Sequence, residues 1–234
     1  MKIYYRISDT GYLKQKLSII NNENCLRNFC EVFQKHINDI YIIADNVSEE
    51  TYKMICKYIK KELIQRVSIG HGAGTFNLTL DAALELDDND IVYFVENDYI
   101  HSPGADLILQ EAFDIGAEFA TLYDHPDKYI DPTGGGNPYC EGGAEDTRVY
   151  LSKSCHWKLT NSTTMTFAAK VKFLRTYLDV IKHHTKTSHP WDFEMWVDMR
   201  KLGATLISSI PGYSTHGDLG TITPLIDWDN IVNN

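Results

Sequence analysis

The sequence predicts an α/β domain with a mostly parallel central sheet flanked by helices, on three observations. From residue 2 to about 122, short β-rich runs alternate with stretches that carry apolar residues at helical spacing, the order in which helices cover a parallel sheet. Four of those β-rich runs end in acidic or glycine-rich punctuation. The chain has 234 residues, enough to bury a substantial core in one domain without disulfides.

Taken in order, strands are expected at Lys2–Ile7, Ile40–Ala44, Arg66–Ile69, Ile91–Val95 and Glu118–Leu122, each a short run of β-branched, aliphatic and aromatic residues. Between them, Asn24–His36, Ser48–Lys60, Asn77–Leu86 and Pro103–Phe113 read as helices, with Asn24 and Ser48 as N-caps. The strand exits are Ser8-Asp9, Asp45-Asn46, Gly70-His71-Gly72 and Glu96-Asn97-Asp98. All lie at the end of an open α/β sheet where ligands bind. The chain changes character at 124: residues 124–146 are rich in Gly, Pro and Asp, with Gly134-Gly135-Gly136 and Gly142-Gly143 inside, which reads as a long loop of lid-like length. Strands near Arg148–Leu151 and Thr163–Phe167, helices over Lys170–His183 and Trp191–Leu202, and a last strand Thr205–Ser209 follow, before a short C-terminal loop with His216. The expected organisation is one domain over 1–234. Residues 1–123 form a ligand-binding half, and residues 124–234 a second half that carries the glycine-rich loop 131–147.

Composition excludes several classes. A formal net charge of −10 opposes binding to nucleic acid or anionic lipid, which requires clustered Lys and Arg. No apolar run is long enough to span a bilayer. The five cysteines are an odd number with no CxxC pair, so neither a disulfide framework nor a zinc ribbon is indicated. Together with a first segment that enters a strand directly, without the marks of a signal peptide, they lead to an expectation of a cytoplasmic protein with reduced thiols.

Two constellations carry chemistry. Glu96-Asn97-Asp98 follows the apolar strand Ile91–Val95. A carboxylate pair spaced by one residue there can hold Mg²⁺ or Mn²⁺ and leave positions for a diphosphate, although acids also cap strands and start turns. Trp191-Asp192-Phe193-Glu194-Met195-Trp196 follows Pro190, which places Asp192 in the first turn of a helix, where the dipole favours the anion. Such an acid serves equally as a cap or as a proton acceptor; Phe193, Trp196 and Met199 fall at core spacing. Weaker signals are Gly70–Thr75, whose backbone N–H groups could face a phosphate, and His216 as a metal ligand. His183, His184 and His189 read as a solvated helix end.

The order of these elements, with an acidic triplet after the fourth strand and an Asp-aromatic-acid-aliphatic-Trp helix ending in Leu202-Gly203, resembles the GT-A glycosyltransferases, family 2 above all. The resemblance covers nearly the whole chain. It implies a divalent-metal-dependent transfer of a hexosyl or deoxyhexosyl group from a nucleoside-diphosphate sugar, UDP favoured, to a hydroxyl of a glycan, glycoprotein or other acceptor, with inversion. It places Asp98 on Mn²⁺ or Mg²⁺ with His216 as a further ligand, Arg6, Ser8, Asp45, Glu96 and Asn97 around the donor, Asp192 as general base, and Trp191 and Glu194 on the acceptor side. Asp45 is then a candidate partner for a uracil N–H. The triplet opens on Glu96 where the family has Asp, and Arg6-Ile7-Ser8-Asp9 replaces the family's proline-threonine ending, so nucleotide choice and metal ligation stay open. A nucleotidyltransferase of related fold remains the competing enzyme, despite a poor match of Ser8-Asp9-Thr10-Gly11 to its glycine-rich loop. A catalytically inactive sugar- or nucleotide-binding module is the alternative from another class. The absence of GxGxxG after the first strand argues against a dinucleotide enzyme.

Overall fold

A computed structural model describes residues 1–11 and 14–233. Its first part runs β1 (Lys2–Ser8), α1 (Asn22–Val32), β2 (Ile40–Asp45), α2 (Glu49–Ile55), β3 (Ile64–Val67), α3 (Gly72–Ala83), β4 (Ile91–Glu96), β5 (Tyr99–His101), α4 (Ala105–Asp114) and β6 (Phe119–Thr121). The second part adds β7 (Val149–Leu151), β8 (His156–Leu159), β9 (Phe167–Lys170), α5 (Val171–Thr176), α6 (Leu178–His184), α7 (Asp192–Lys201), β10 (Leu206–Ile210), β11 (Ser214–His216) and α8 (Trp228–Asn233).

The main sheet has the order β3-β2-β1-β4-β9-β6-β10-β8-β7. Strands β1 to β4 are mutually parallel, β10 is parallel to β6, and β9 and β8 run against their neighbours. The expected α/β class with a mostly parallel core is thus observed. Because β9 lies between β4 and β6, strands from both parts of the chain share one sheet.

Side-chain alternation explains how this sheet is buried on both faces. From β1, Ile3, Tyr5 and Ile7 enter one core with Leu26, Phe29 and Phe33 of the α1 region, while Tyr4 enters a second core with Phe76, Phe94, Trp196 and Met199. Strand β4 divides likewise, with Tyr93 and Val95 on the first face and Val92 and Phe94 on the second. Hence α1, α2 and α4 cover one face, and α3, α5 and α7 the other.

Several boundaries differ from the sequence reading for physical reasons. Asn21, not Asn24, caps α1, its side chain accepting from Asn24 N, whereas Ser48 caps α2 as expected by accepting from Thr51 N. Helix α3 starts at Gly72, so the glycine run is its first turn; His71 is the cap, its Nδ1 accepting from Gly74 N at 3.0 Å. Gly74 has room for no Cβ, which would lie 2.4 Å from Ile69 Cγ2. The strand expected over Thr163–Phe167 begins only at Phe167, since Thr164 and Met165 have positive φ of 45° and 59°. The helix expected over 170–183 breaks into α5 and α6 at Tyr177, and His216 belongs to a strand paired with β5, not to a loop. Residues 124–147 are not an open loop. They contain three 3₁₀ turns, and the fully buried Lys128 meets Asn161 and Asp127 while Lys158 lies 2.9 Å from Asp124.

Candidate metal and nucleotide site

A cavity of about 1110 Å³ opens where β1, β2, β3 and β4 end, and its lining also includes residues 136–138, 162, 164–165 and 189–194. Register brings the exits together. Arg6 pairs with Glu96 across β1 and β4, and Ser8 with Asp45 across β1 and β2. All sequence-predicted site residues line this cavity: Arg6, Ser8, Asp45, Glu96, Asn97, Asp98, Trp191, Asp192, Glu194 and His216.

Glu96, Asp98 and His216 each offer one ligand atom, and these atoms all lie within 4.8 Å of one another. Asp98 Oδ2 lies 2.8 Å from Lys16 Nζ and 3.3 Å from His216 Nε2, whereas Asp98 Oδ1 is buried with no hydrogen-bond partner. Burial opposes ionisation of Asp98, but His216 and Lys16 outweigh it and hold the carboxyl far below its ordinary range. Glu96 is pushed upward by burial, a shift that Arg6, 3.3 Å away, works against. For His216, burial disfavours the cation, but Asp98, Asp218 and Glu96 more than offset it and raise the imidazole. The Thr221 hydroxyl donates to Asp218 O at 3.0 Å and sits 2.9 Å from His216 Nδ1. Asp218 N also approaches Nδ1, at 3.4 Å, and Nε2 faces Asp98 Oδ2. Gly217 permits the arrangement, because a Cβ there would stand 2.9 Å from Asp98 O.

This donor set suits a divalent cation. Two carboxylates and one imidazole match Mn²⁺ well and Mg²⁺ less well, and Asp98 Oδ1 is a buried carboxylate oxygen without a hydrogen-bond partner that a cation would satisfy.

The remaining predicted residues have more specific partners than the sequence disclosed. Asp45 is buried, with its oxygens accepting from Ile69 N at 2.6 Å and Gly70 N at 2.8 Å, so it shapes the β3 exit. Asn97 Nδ2 donates to Asn22 Oδ1 at 2.6 Å, joining the acidic triplet to α1. Asp192 accepts five hydrogen bonds: Thr163 Oγ1, Met165 N and Trp196 Nε1 on Oδ1, and Thr163 N and Thr164 N on Oδ2, at 2.6–3.1 Å. A carboxylate offers about four lone-pair directions, so none is left for an incoming proton unless a donor is displaced. The acid clamps the left-handed turn at Thr164 and Met165 that walls the cavity. Glu194 and Trp191, by contrast, are exposed within the cavity lining, Trp191 by 51%.

Sequence reasoning missed Lys14, Lys16, His125, Asp127, Asn137 and Asp218, all of which line the cavity. Lys16 and Asp218 meet through an antiparallel bridge between distant segments, which no local pattern encodes. His125 Nδ1 and Asp127 Oδ1 lie 2.9 Å apart, a pairing that the spacing of one residue could have suggested.

No family model matches the chain, and no curated protein matches it in sequence. In structure it resembles GalNAc-T7 bound to UDP, GalNAc and Mn²⁺, with a TM-score of 0.61 and 13% identity over 94% of this chain, which spans 44% of that one. It also resembles a protein from Bacillus anthracis described as a glucose-1-phosphate thymidylyltransferase, in complex with a sucrose, with a TM-score of 0.53 and 13% identity over 92% of this chain and 89% of that one. The fold is GT-A-like. Because glycosyltransferases and nucleotidyltransferases share it, the likeness establishes the fold and not the reaction. Among the described residues, no helix is long and apolar enough to cross a membrane, and all five cysteines are free thiols.

Proposed function

We propose that the chain is a divalent-metal-dependent glycosyltransferase that takes a sugar from a nucleoside-diphosphate donor, UDP-linked in first preference, and passes it to an acceptor hydroxyl with inversion. The observation that carries this reading is the convergence of Glu96, Asp98 and His216 beside an orphaned Asp98 Oδ1 at the strand exits. A GT-A-like neighbour holding UDP, a sugar and Mn²⁺ together supports it.

In this reading Arg6, Ser8 and the Asp45-held turn at Gly70 receive the nucleoside. Glu96, Asp98 and His216 hold Mn²⁺ or Mg²⁺, which when bound offsets the charge of the departing diphosphate. Trp191 offers an exposed apolar ring to an acceptor glycan. Asp192 positions the Thr163–Met165 wall. Glu194, on the same helix and exposed to the cavity, takes the proton of the attacking hydroxyl.

The test is release of nucleoside diphosphate from a panel of UDP-, GDP- and TDP-sugars with Mn²⁺, Mg²⁺ or excess chelator. Metal-dependent release is the expected result. Full turnover in chelator sinks the metal assignment. Pyrophosphate release from a nucleoside triphosphate and a sugar phosphate makes the protein a nucleotidyltransferase, and binding without release makes it an inactive module.

A further inference from the structure

Three carboxylates at the metal end of the cavity each have a cation of their own. Glu96 has Arg6 at 3.3 Å, Asp98 has Lys16 at 2.8 Å, and Asp218 has Lys14 at 2.7 Å. The Lys16 pair stands apart, because its acid is one of the three convergent metal donors and its ammonium rests on the oxygen that also faces His216. The backbone of Lys16 is fixed to the strand exit that bears His216: it bridges Asp218, Leu17 N donates to Gly217 O at 3.1 Å, and Leu219 N donates to Gln15 O at 2.9 Å. Its side chain is only part-buried and lines the cavity.

From this geometry we infer that Lys16 is an exchangeable counter-cation: it neutralises Asp98 in the metal-free protein, yields that carboxylate to the divalent ion, and turns its ammonium to the diphosphate of the incoming nucleotide. The inference rests on the metal-site reading above. Its physical basis is charge conservation in a poorly solvated site. A buried carboxylate keeps a cation near it in either state, and an ammonium displaced from it stays close to the new cation unless an anion receives it. A lysine suits the exchange better than an arginine, since it is a compact charge on a flexible stem with no fork geometry to lose. Metal and diphosphate therefore strengthen each other's binding, with Lys16 carrying part of the coupling, and that coupling is reciprocal.

The test is binding, not turnover. Mn²⁺ affinity is measured by electron paramagnetic resonance on the full chain with and without UDP, for wild type, Lys16→Met, Lys16→Arg and Lys14→Met, with circular dichroism to confirm folding. Lys16→Met is expected to bind Mn²⁺ alone roughly tenfold more tightly and to lose roughly tenfold of the enhancement that UDP gives. Lys14→Met, which removes the same charge from Asp218 instead, is expected to change either quantity far less. Lys16→Arg keeps the charge and is expected to bind Mn²⁺ alone no more tightly than wild type. Unchanged or weaker Mn²⁺ binding by folded Lys16→Met overturns the inference, as does an equal gain in Lys14→Met, which would make it a matter of net charge. A wild-type protein that binds no Mn²⁺ overturns the metal-site reading itself, and the inference with it.

Discussion

Asp192→Asn separates a clamp from a base at one residue. In the wild type, three donors meet Oδ1 and two backbone N–H groups, of Thr163 and Thr164, meet Oδ2. An asparagine that keeps its carbonyl toward the first three must turn its NH₂ toward the other two, donor against donor. Each buried donor left without an acceptor costs about 1–3 kcal/mol. Because Asp192 is only partly buried, water relieves some of this, and the expected loss is about 2–4 kcal/mol. For a domain of this size that lowers Tm by roughly 5–15 °C. The turn it holds has positive φ at two non-glycine residues, which persist only while their surroundings hold them, so the Thr164 wall relaxes and transfer falls with it. The assay is a thermal melt followed by circular dichroism, with transfer rate and UDP affinity on the same preparation at a temperature where the variant is folded. The reasoning is refuted by a wild-type Tm together with intact UDP affinity and a 10²–10⁴-fold loss of turnover, which is the signature of a missing base.

Other outcomes follow from the same geometry. Glu194→Gln is expected to lower turnover by roughly 10²–10⁴ with Tm unchanged, and near-normal transfer would remove Glu194 from the mechanism. Asp98→Ala should abolish Mn²⁺ binding and weaken UDP in saturating Mn²⁺; undiminished affinity for both in a titration would place the ion elsewhere. Gly217→Ala brings a Cβ within 2.9 Å of the Asp98 carbonyl oxygen, so the backbone must shift, at a cost of about 1–3 kcal/mol; a variant with wild-type melting and Mn²⁺ affinity would show that the approach is slack. His101 is buried and hydrogen-bonded to Tyr93, and burial pulls its imidazole from 6.5 to about 3. Below pH 6.5 the unfolded state therefore binds the extra proton, and this group's contribution falls by about 1.4 kcal/mol per unit until about pH 3. Denaturant titrations should find His101→Gln losing less stability than wild type between pH 6.5 and 4.5, and parallel losses would contradict the shift.

What the sequence determined by itself was whatever local periodicity and strand order encode. Apolar runs such as Ile91–Val95 locate strands because a strand buried on both faces must be apolar throughout, and the punctuation after Ile7, Ala44 and Val95 locates the ligand end because every parallel strand ends there. The acidic triplet, Asp192 and His216 stood out in the sequence as candidates by residue type and place in the chain, and the structure places them along one cavity. Tertiary structure alone decided their partners. The oxygens of Asp192 go to a turn about 30 positions away in the chain and those of Asp45 to the β3 exit, while Asp98 finds Lys16 across a separation of 82 residues. It also turned the glycines at 72 and 74 into a helical first turn, capped by His71 and packed too closely against Ile69 for a side chain. The physical reason is one of range: hydrophobic periodicity repeats within a few residues, whereas lone pairs and charges are satisfied by whatever the fold brings within about 3 Å, and nothing in the local pattern of either partner records that meeting.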